Sequence, residues 1–220
     1  MAQKKLENLW QKGRKQMLNE VTVFNIREYL SAKGDKDLGE DELRQLLSEF
    51  FCDKNPDVER FLKEQSIEFT KKNQSVTYLV FSNEDASLVG YFTITIKPIT
   101  VNAENFSNTM KRKIARVSEL DEENGTYTLS AYLIAQLGKN FKDGANEKIT
   151  GEQLLHAAVD TIKELQYMAG GMVIFLEAED NDKLMHFYED ENGFKQFDVR
   201  EMKCRDKDEI HKLVQLLKVM

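Results

Sequence analysis

The stretch "GGMVIFLEA", residues 170–178, is a continuous apolar run opened by two glycines. It lacks the alternation of a half-solvated strand, so it reads as a strand covered on both faces. Ahead of it, "TGEQLLHAAVDTIKEL" (150–165) repeats Leu155, Ala158, Ile162 and Leu165 at helical spacing. Ahead of that, "TYTLSAYLIAQL" (126–137) alternates, with Leu129, Ala131, Leu133, Ala135 and Leu137 on one side. Strand, loop, helix and buried strand in this order predict a mixed α/β sheet covered by helices.

The front half supplies antiparallel strands. "SVTYLVF" (75–81) and "LVGYFTITI" (88–96) are β-branched and aromatic, and "SNEDAS" between them is a turn, so the pair predicts a hairpin. Pro56 suits the first turn of a helix striped by Val58, Phe61, Leu62 and Phe69. Further helices are expected over 41–50 and 108–117, and a short strand over 21–26. Lys4–Met17 reads as an amphipathic helix on Leu6, Leu9, Trp10 and Met17. The chain would end on the strand 194–202 and an amphipathic helix carrying Ile210, Leu213, Val214 and Leu217. Residues 1–45 are expected to form an N-terminal extension, and 46–220 the main domain with its C-terminal helix.

Charge narrows the partners. A formal net charge of −7 argues against diffuse attraction to nucleic acid or an anionic membrane. The densest basic cluster, Lys111, Arg112, Lys113 and Arg116, reads first as a solvated helix face. The two cysteines, Cys52 and Cys204, fit no ligand spacing and suit a reducing compartment, so a cytoplasmic location is expected. No apolar run approaches the roughly 18 residues of a membrane span. His156, His186 and His211 have no cysteine or carboxylate at zinc-site spacing, so no metal is expected.

Two units could carry chemistry. Thr150 and Gln153 form a capping box, and the helix start they define offers unpaired N–H groups to a phosphate, with Gly151 letting it approach. The second unit, "NDKLMHFYEDENGF" (181–194), is a short helix capped by Asn181 or Asp180, with Leu184, Phe187 and Tyr188 on one face and Gly193 at its end. From spacing alone, Tyr188 is either a core ring or a proton donor. Glu177 and Glu179, at the end of the buried strand, could each receive an amine proton.

Together, "ITGEQLL" and "NDKLMHFYEDENGF" resemble the GNAT superfamily of acetyl-CoA-dependent N-acetyltransferases. The second is similar to that family's Asn-x-x-Ala-x-x-Phe-Tyr-x-x-x-Gly-Phe. The resemblance covers roughly residues 46–203, and "FFCDKNPDVERFLKEQSIEF" looks like the branch of toxin acetyltransferases that acetylate aminoacyl-tRNA. It implies the GNAT fold, a central mixed sheet with splayed parallel strands flanked by helices. It implies acetyl-CoA as cosubstrate, an acceptor amine on aminoacyl-tRNA or a protein, and no metal. Oligomeric state stays open, a homodimer included. Leu137, Gly138 and Lys139 would lie along the pantetheine arm, Lys148, Ile149, Thr150, Gly151 and Glu152 would face the pyrophosphate, Asn181 would contact the cofactor, and Tyr188 would protonate the departing thiolate. Of the family's Gln/Arg-x-x-Gly-x-Gly/Ala loop, represented here by Asn146, Ile149 and Gly151, only the last position is kept. Lys148 stands where it could replace the missing basic residue. "EDENGF" carries one residue more than the family pattern before Gly-Phe. The alternative is a binding module on the same fold that has lost catalysis.

Overall fold

The computed structural model describes residues 16–18, 21–30, 39–203 and 210–220. The chain divides into two compact units, Met1–Thr95 with Ala135–Glu164, and Ile96–Ile134 with Leu165–Met220.

In the first unit, β1 (Gln16–Leu18), β2 (Val21–Asn25), β3 (Val76–Ser82) and the first half of β4 (Leu88–Asn102) pair antiparallel in that order. The expected hairpin and the strand near 21–26 are therefore present. The helix expected over Lys4–Met17 lies outside the described residues except for its last two, which belong to β1. Helices α2 (Glu40–Ser48), α3 (Pro56–Arg60) and α4 (Ser66–Lys71) follow the sequence expectation, with Pro56 at the first turn of α3 and Asn55 as its cap, whereas α1 (Ile26–Leu30), directly after β2, was not expected. Phe24, Leu47, Phe50, Leu62, Leu79, Phe81 and Tyr91 form the core that these elements share. Phe50 meets Tyr91 edge-on at 5.1 Å and Phe24 meets Phe81 at 5.4 Å, the offset geometry that aromatic quadrupoles favour.

In the second unit, the short β5 (Leu120–Asp121) pairs antiparallel with β6 (Thr126–Lys139), which runs parallel to β7 (Val173–Glu179), with Ala131 opposite Val173 and Ile134 opposite Leu176. Val173, Ile174, Phe175 and Leu176 are all buried, as the unbroken apolar run requires. The fold expectation fails at the C-terminus. Residues Ile210–Val219 are not a helix but a strand, β9, lying antiparallel to β7 on one side and to β8 (Lys195–Lys203) on the other. The doublets Leu213-Val214 and Leu216-Leu217 satisfy a helical stripe, but in a strand each doublet gives one apolar side chain to each face. An inner strand needs that, and the open edge of β7 provides the partner, so tertiary pairing overrides the helical period.

α5 (Asn108–Ile114) carries Lys111, Arg112 and Lys113 of the basic cluster, with Arg116 in the turn that follows, and α6 (Gly151–Ala169) is the capped helix, with Leu154, Leu155, Ala158 and Ile162 buried. No helix among the described residues is long and apolar enough to cross a membrane.

Candidate active site

Along β6 the backbone addresses alternate sides. Asn140 donates its N–H to the Val89 carbonyl of β4 at 2.9 Å, and a Cβ added to Gly90 would lie 2.9 Å from the Gly138 carbonyl. Gly138 and Asn140 therefore face β4, and Leu137 and Lys139 turn their N–H and C=O groups to the other edge. The parallel ladder ends at Ile134, so among the described residues no strand is paired to that edge at Leu137 and Lys139. Gly138 has no room for a side chain, because a Cβ there would sit 2.4 Å from Val58 Cγ1.

The loop after the strand is fixed by Asn140, a buried residue that no sequence motif marks. Its Nδ2 donates to the carbonyls of Leu88 (2.8 Å) and Glu49 (3.3 Å), and its Oδ1 accepts from the N–H of Phe51 (2.9 Å) and of Lys142 (3.1 Å). The only sequence signal was an amide where the strand ends. The loop then turns through Asp143 and Gly144 at positive φ and anchors itself on the buried Ala145 and Ile149.

The capping box is formed as expected. Thr150 Oγ1 accepts from the Gln153 N–H at 3.0 Å, and Gln153 Oε1 accepts from the Thr150 N–H at 2.7 Å. That leaves the N–H groups of Gly151 and Glu152 pointing out of the first turn of a nineteen-residue helix, at the positive end of its dipole. Lys148 is not free. Its ammonium pairs with Asp85 of the β3–β4 turn and donates to Ser87 Oγ at 3.1 Å. Hydrogen bonds from Lys148 and Ser87 pull the Asp85 carboxyl down to about 2. Ile149 turns its side chain inward, so only its backbone can face a ligand. The structure thus brings Leu137, Gly138, Lys139, Lys148, Ile149, Thr150, Gly151 and Glu152 into the first unit.

Asn181 and Tyr188 belong to the second. Asn181 caps α7 (Asp182–Met185) by accepting from the Lys183 N–H at 3.0 Å, and its amide NH2 meets no acceptor among the described residues. A π-helical turn, His186–Glu191, continues α7. A π turn holds one more residue than an α turn and so accommodates the extra residue of "EDENGF" without moving its ends. The turn closes as the sequence suggested. Gly193 has φ 68, its N–H reaches the Glu189 carbonyl at 3.1 Å, and the Phe194 N–H reaches the Tyr188 carbonyl at 2.9 Å.

The Tyr188 ring is half-buried and lies edge-on to Phe187 at 5.0 Å and to Phe194 at 5.9 Å. Burial pushes its hydroxyl up to about 12. The hydroxyl takes no hydrogen-bond acceptor among the described residues, whereas Tyr91 donates to the Val58 carbonyl at 2.6 Å and Tyr132 donates to the Gly170 carbonyl. Those two are structural hydroxyls, and Tyr188 is not spent in that way. Glu177 is engaged, accepting from Gln215 Nε2 at 2.7 Å with Arg200 at 3.5 Å, and so belongs to a cross-strand polar row. No cluster of metal-ligating side chains exists among the described residues.

No protein-family model matches the sequence, and no curated protein does. Solved structures do match. AtaT complexed with acetyl-methionyl-tRNAfMet superposes with a TM-score of 0.56 at 14% identity, covering 89% of this chain and 94% of that one. A tyrosine-to-phenylalanine mutant of KacT gives 0.56 at 16% identity, covering 91% and 95%. AtaTR bound with acetyl-CoA gives 0.51 at 13% identity, covering 92% and 94%. At such low identity the likeness speaks for architecture over nearly the whole chain. The chain therefore has the fold of the AtaT and KacT toxins, the GNAT acetyltransferase fold that its two sequence anchors resemble.

Proposed function

We propose that this chain is an acetyl-CoA-dependent N-acetyltransferase, acting in the cytoplasm on a primary amine by direct attack. One observation carries the reading. A strand edge open at Leu137 and Lys139 and a helix start open at Gly151 and Glu152 lie in the same unit. That donor set suits a ligand with amides along its arm and a pyrophosphate at its end. Acetyl-CoA, when bound, supplies an acetyl group already activated as a thioester. The backbone of Leu137 and Lys139 would hold the arm, and an N–H of that edge would polarise the acyl oxygen. The N–H groups of Gly151 and Glu152 would take phosphate oxygens, and the Asn181 amide would steady the cofactor. Tyr188 would keep a proton on Oη until the sulfur leaves and then give it up. The complex of AtaT with an acetylated aminoacyl-tRNA supports aminoacyl-tRNA as the acceptor.

One observation favours a second reading, a binding module without catalysis. Lys148, the replacement for the family's basic loop residue, has its charge answered by Asp85. A thermal melt with acetyl-CoA separates the two. Cofactor at 100 times its dissociation constant should add about 2.7 kcal/mol to the folded state. No shift at millimolar acetyl-CoA would favour the module.

If the acceptor is a tRNA, its phosphates have a ready surface on α5 and the turn after it. Lys111, Arg112, Lys113 and Arg116 make no ion pair among the described residues. Replacing both Arg112 and Arg116 by Ala should weaken tRNA binding and lower the slope of log affinity against log salt by about 0.7–0.9 for each phosphate no longer neutralised. A filter-binding series in salt would read it, and an unchanged slope would return this helix to a merely solvated face.

A further inference from the structure

The turn that carries Tyr188 is tied to the sheet by a lysine that belongs to no sequence motif. Lys218 stands on β9 opposite Ile174 of β7. Its ammonium donates to the carbonyl of Asn192, the residue that ends the π turn, at 2.8 Å. The same ammonium lies 5.7 Å from the centroid of the Phe194 ring, within reach of a cation–π contact. Lys218 meets no carboxylate among the described residues. Its charge is answered by a carbonyl dipole and a ring instead.

Asn192 and Phe194 carry that tie to Tyr188. Asn192 is buried, and its Nδ2 donates to the carbonyl of Phe187, the residue before Tyr188, at 2.8 Å. Phe194, also buried, donates its N–H to the carbonyl of Tyr188 itself at 2.9 Å and sets its ring edge-on to the Tyr188 ring at 5.9 Å. Glu189, the next residue, accepts from the Gln196 N–H of β8 at 3.2 Å. The backbone on both sides of Tyr188, and the ring against it, are thus fastened to an inner strand that is paired on both edges. A four-residue helix followed by one π turn has little cooperative stability of its own, so its geometry is set by what it is fastened to.

We propose that Lys218 is a positioning residue, which through Asn192 and Phe194 holds the Tyr188 hydroxyl where a departing thiolate would meet it. This rests on the acetyltransferase reading with Tyr188 as its acid. A cation working on the hydroxyl by its field would pull the pKa down. Tyr188 is instead shifted upward by burial alone, so the ammonium acts through the shape of the turn.

The test is a double-mutant cycle on the full chain, with methionyl-tRNA as the acceptor and acetyl-CoA affinity measured separately by calorimetry. Lys218→Met keeps an unbranched stem but removes the donor and the charge. It should lower kcat roughly tenfold, the order expected when a reacting group is misplaced by a fraction of an ångström. Acetyl-CoA affinity should stay within about twofold of wild type, which also shows that the variant folds. In the Tyr188→Phe background the same substitution should change kcat by less than about twofold, because no hydroxyl is left to position. Lys218→Arg, which can donate to the same carbonyl and reach the same ring, should keep most of the turnover. Lys218→Gln, which keeps a donor and loses the charge, should follow the pattern of Lys218→Met at smaller size. An equal loss of kcat in both backgrounds would make Lys218 a structural residue only. No loss in the wild-type background, or a loss of acetyl-CoA affinity in step with kcat, would also overturn the proposal. A wild type that transfers no acetyl group, or a fully active Tyr188→Phe, would overturn the reading beneath it and the positioning role as well.

Discussion

Tyr188→Phe should fold, bind acetyl-CoA with nearly unchanged affinity and lose roughly 10²-fold or more in turnover, the scale of general-acid removal. The ring is held by Phe187 and Phe194, and both contacts survive when only Oη is removed. The hydroxyl bonds no acceptor among the described residues, so its loss leaves no buried carbonyl there unsatisfied. What remains is its reactivity. Proton donation acts on charge that develops only as the sulfur departs, so the loss belongs in kcat rather than in cofactor binding. Burial that holds Tyr188 at about 12 keeps it protonated at every working pH. The wild-type rate should therefore show no basic limb from this residue below roughly pH 10, the ordinary tyrosine value. Full activity in the variant would make Tyr188 a packing residue and leave the chain without an identified acid.

The second large effect concerns stability. Asn140→Leu should lower the free energy of unfolding by about 3 kcal/mol or more, read as a lower urea midpoint at unchanged slope. It strands two carbonyls and two N–H groups, each costing about 1–3 kcal/mol where it stays dry. Asn140→Asp is more diagnostic because it keeps the volume. Its carboxylate could still accept from Phe51 and Lys142, but it would set an anionic oxygen against the carbonyls of Leu88 and Glu49. Burial and those carbonyls would raise the folded-state pKa of the new acid above its unfolded value. The folded state then binds the extra proton more tightly, so stability should recover as pH falls through that raised pKa and be lowest above it. A wild-type-like midpoint at neutral pH would mean that the loop is not organised by this amide.

The fold was legible where periodicity had one solution. Residues 173–176 could only be a strand covered on both sides, and the Thr150–Gln153 box announced its helix through side chains that bond their own backbone. The C-terminal strand was hidden because Leu213, Val214, Leu216 and Leu217 fit both periods, and the deciding fact, an unpaired edge on β7, lies far away in sequence, as the register Ala178 to Val214 shows. The π turn at His186–Glu191 left a trace, one residue too many before Gly193, but an extra residue does not say which hydrogen bonds will stretch to take it. The site was legible as residue types and not as partners. Lys148 looked like a free cation until the hairpin turn brought Asp85 and Ser87 to it. Asn140 carried no local pattern at all, since its role comes from chain segments brought together only by folding.

The most direct measurement is mass spectrometry of acceptors after incubation with acetyl-CoA, with aminoacyl-tRNA and protein amines in parallel, comparing wild type and Tyr188→Phe. The account predicts one acetyl group on the α-amine of the aminoacyl-tRNA with the wild-type chain, and roughly a hundredfold or more slower appearance with the variant. A chain that binds acetyl-CoA but acetylates neither kind of acceptor, or acetylates equally fast without the Tyr188 hydroxyl, would contradict it.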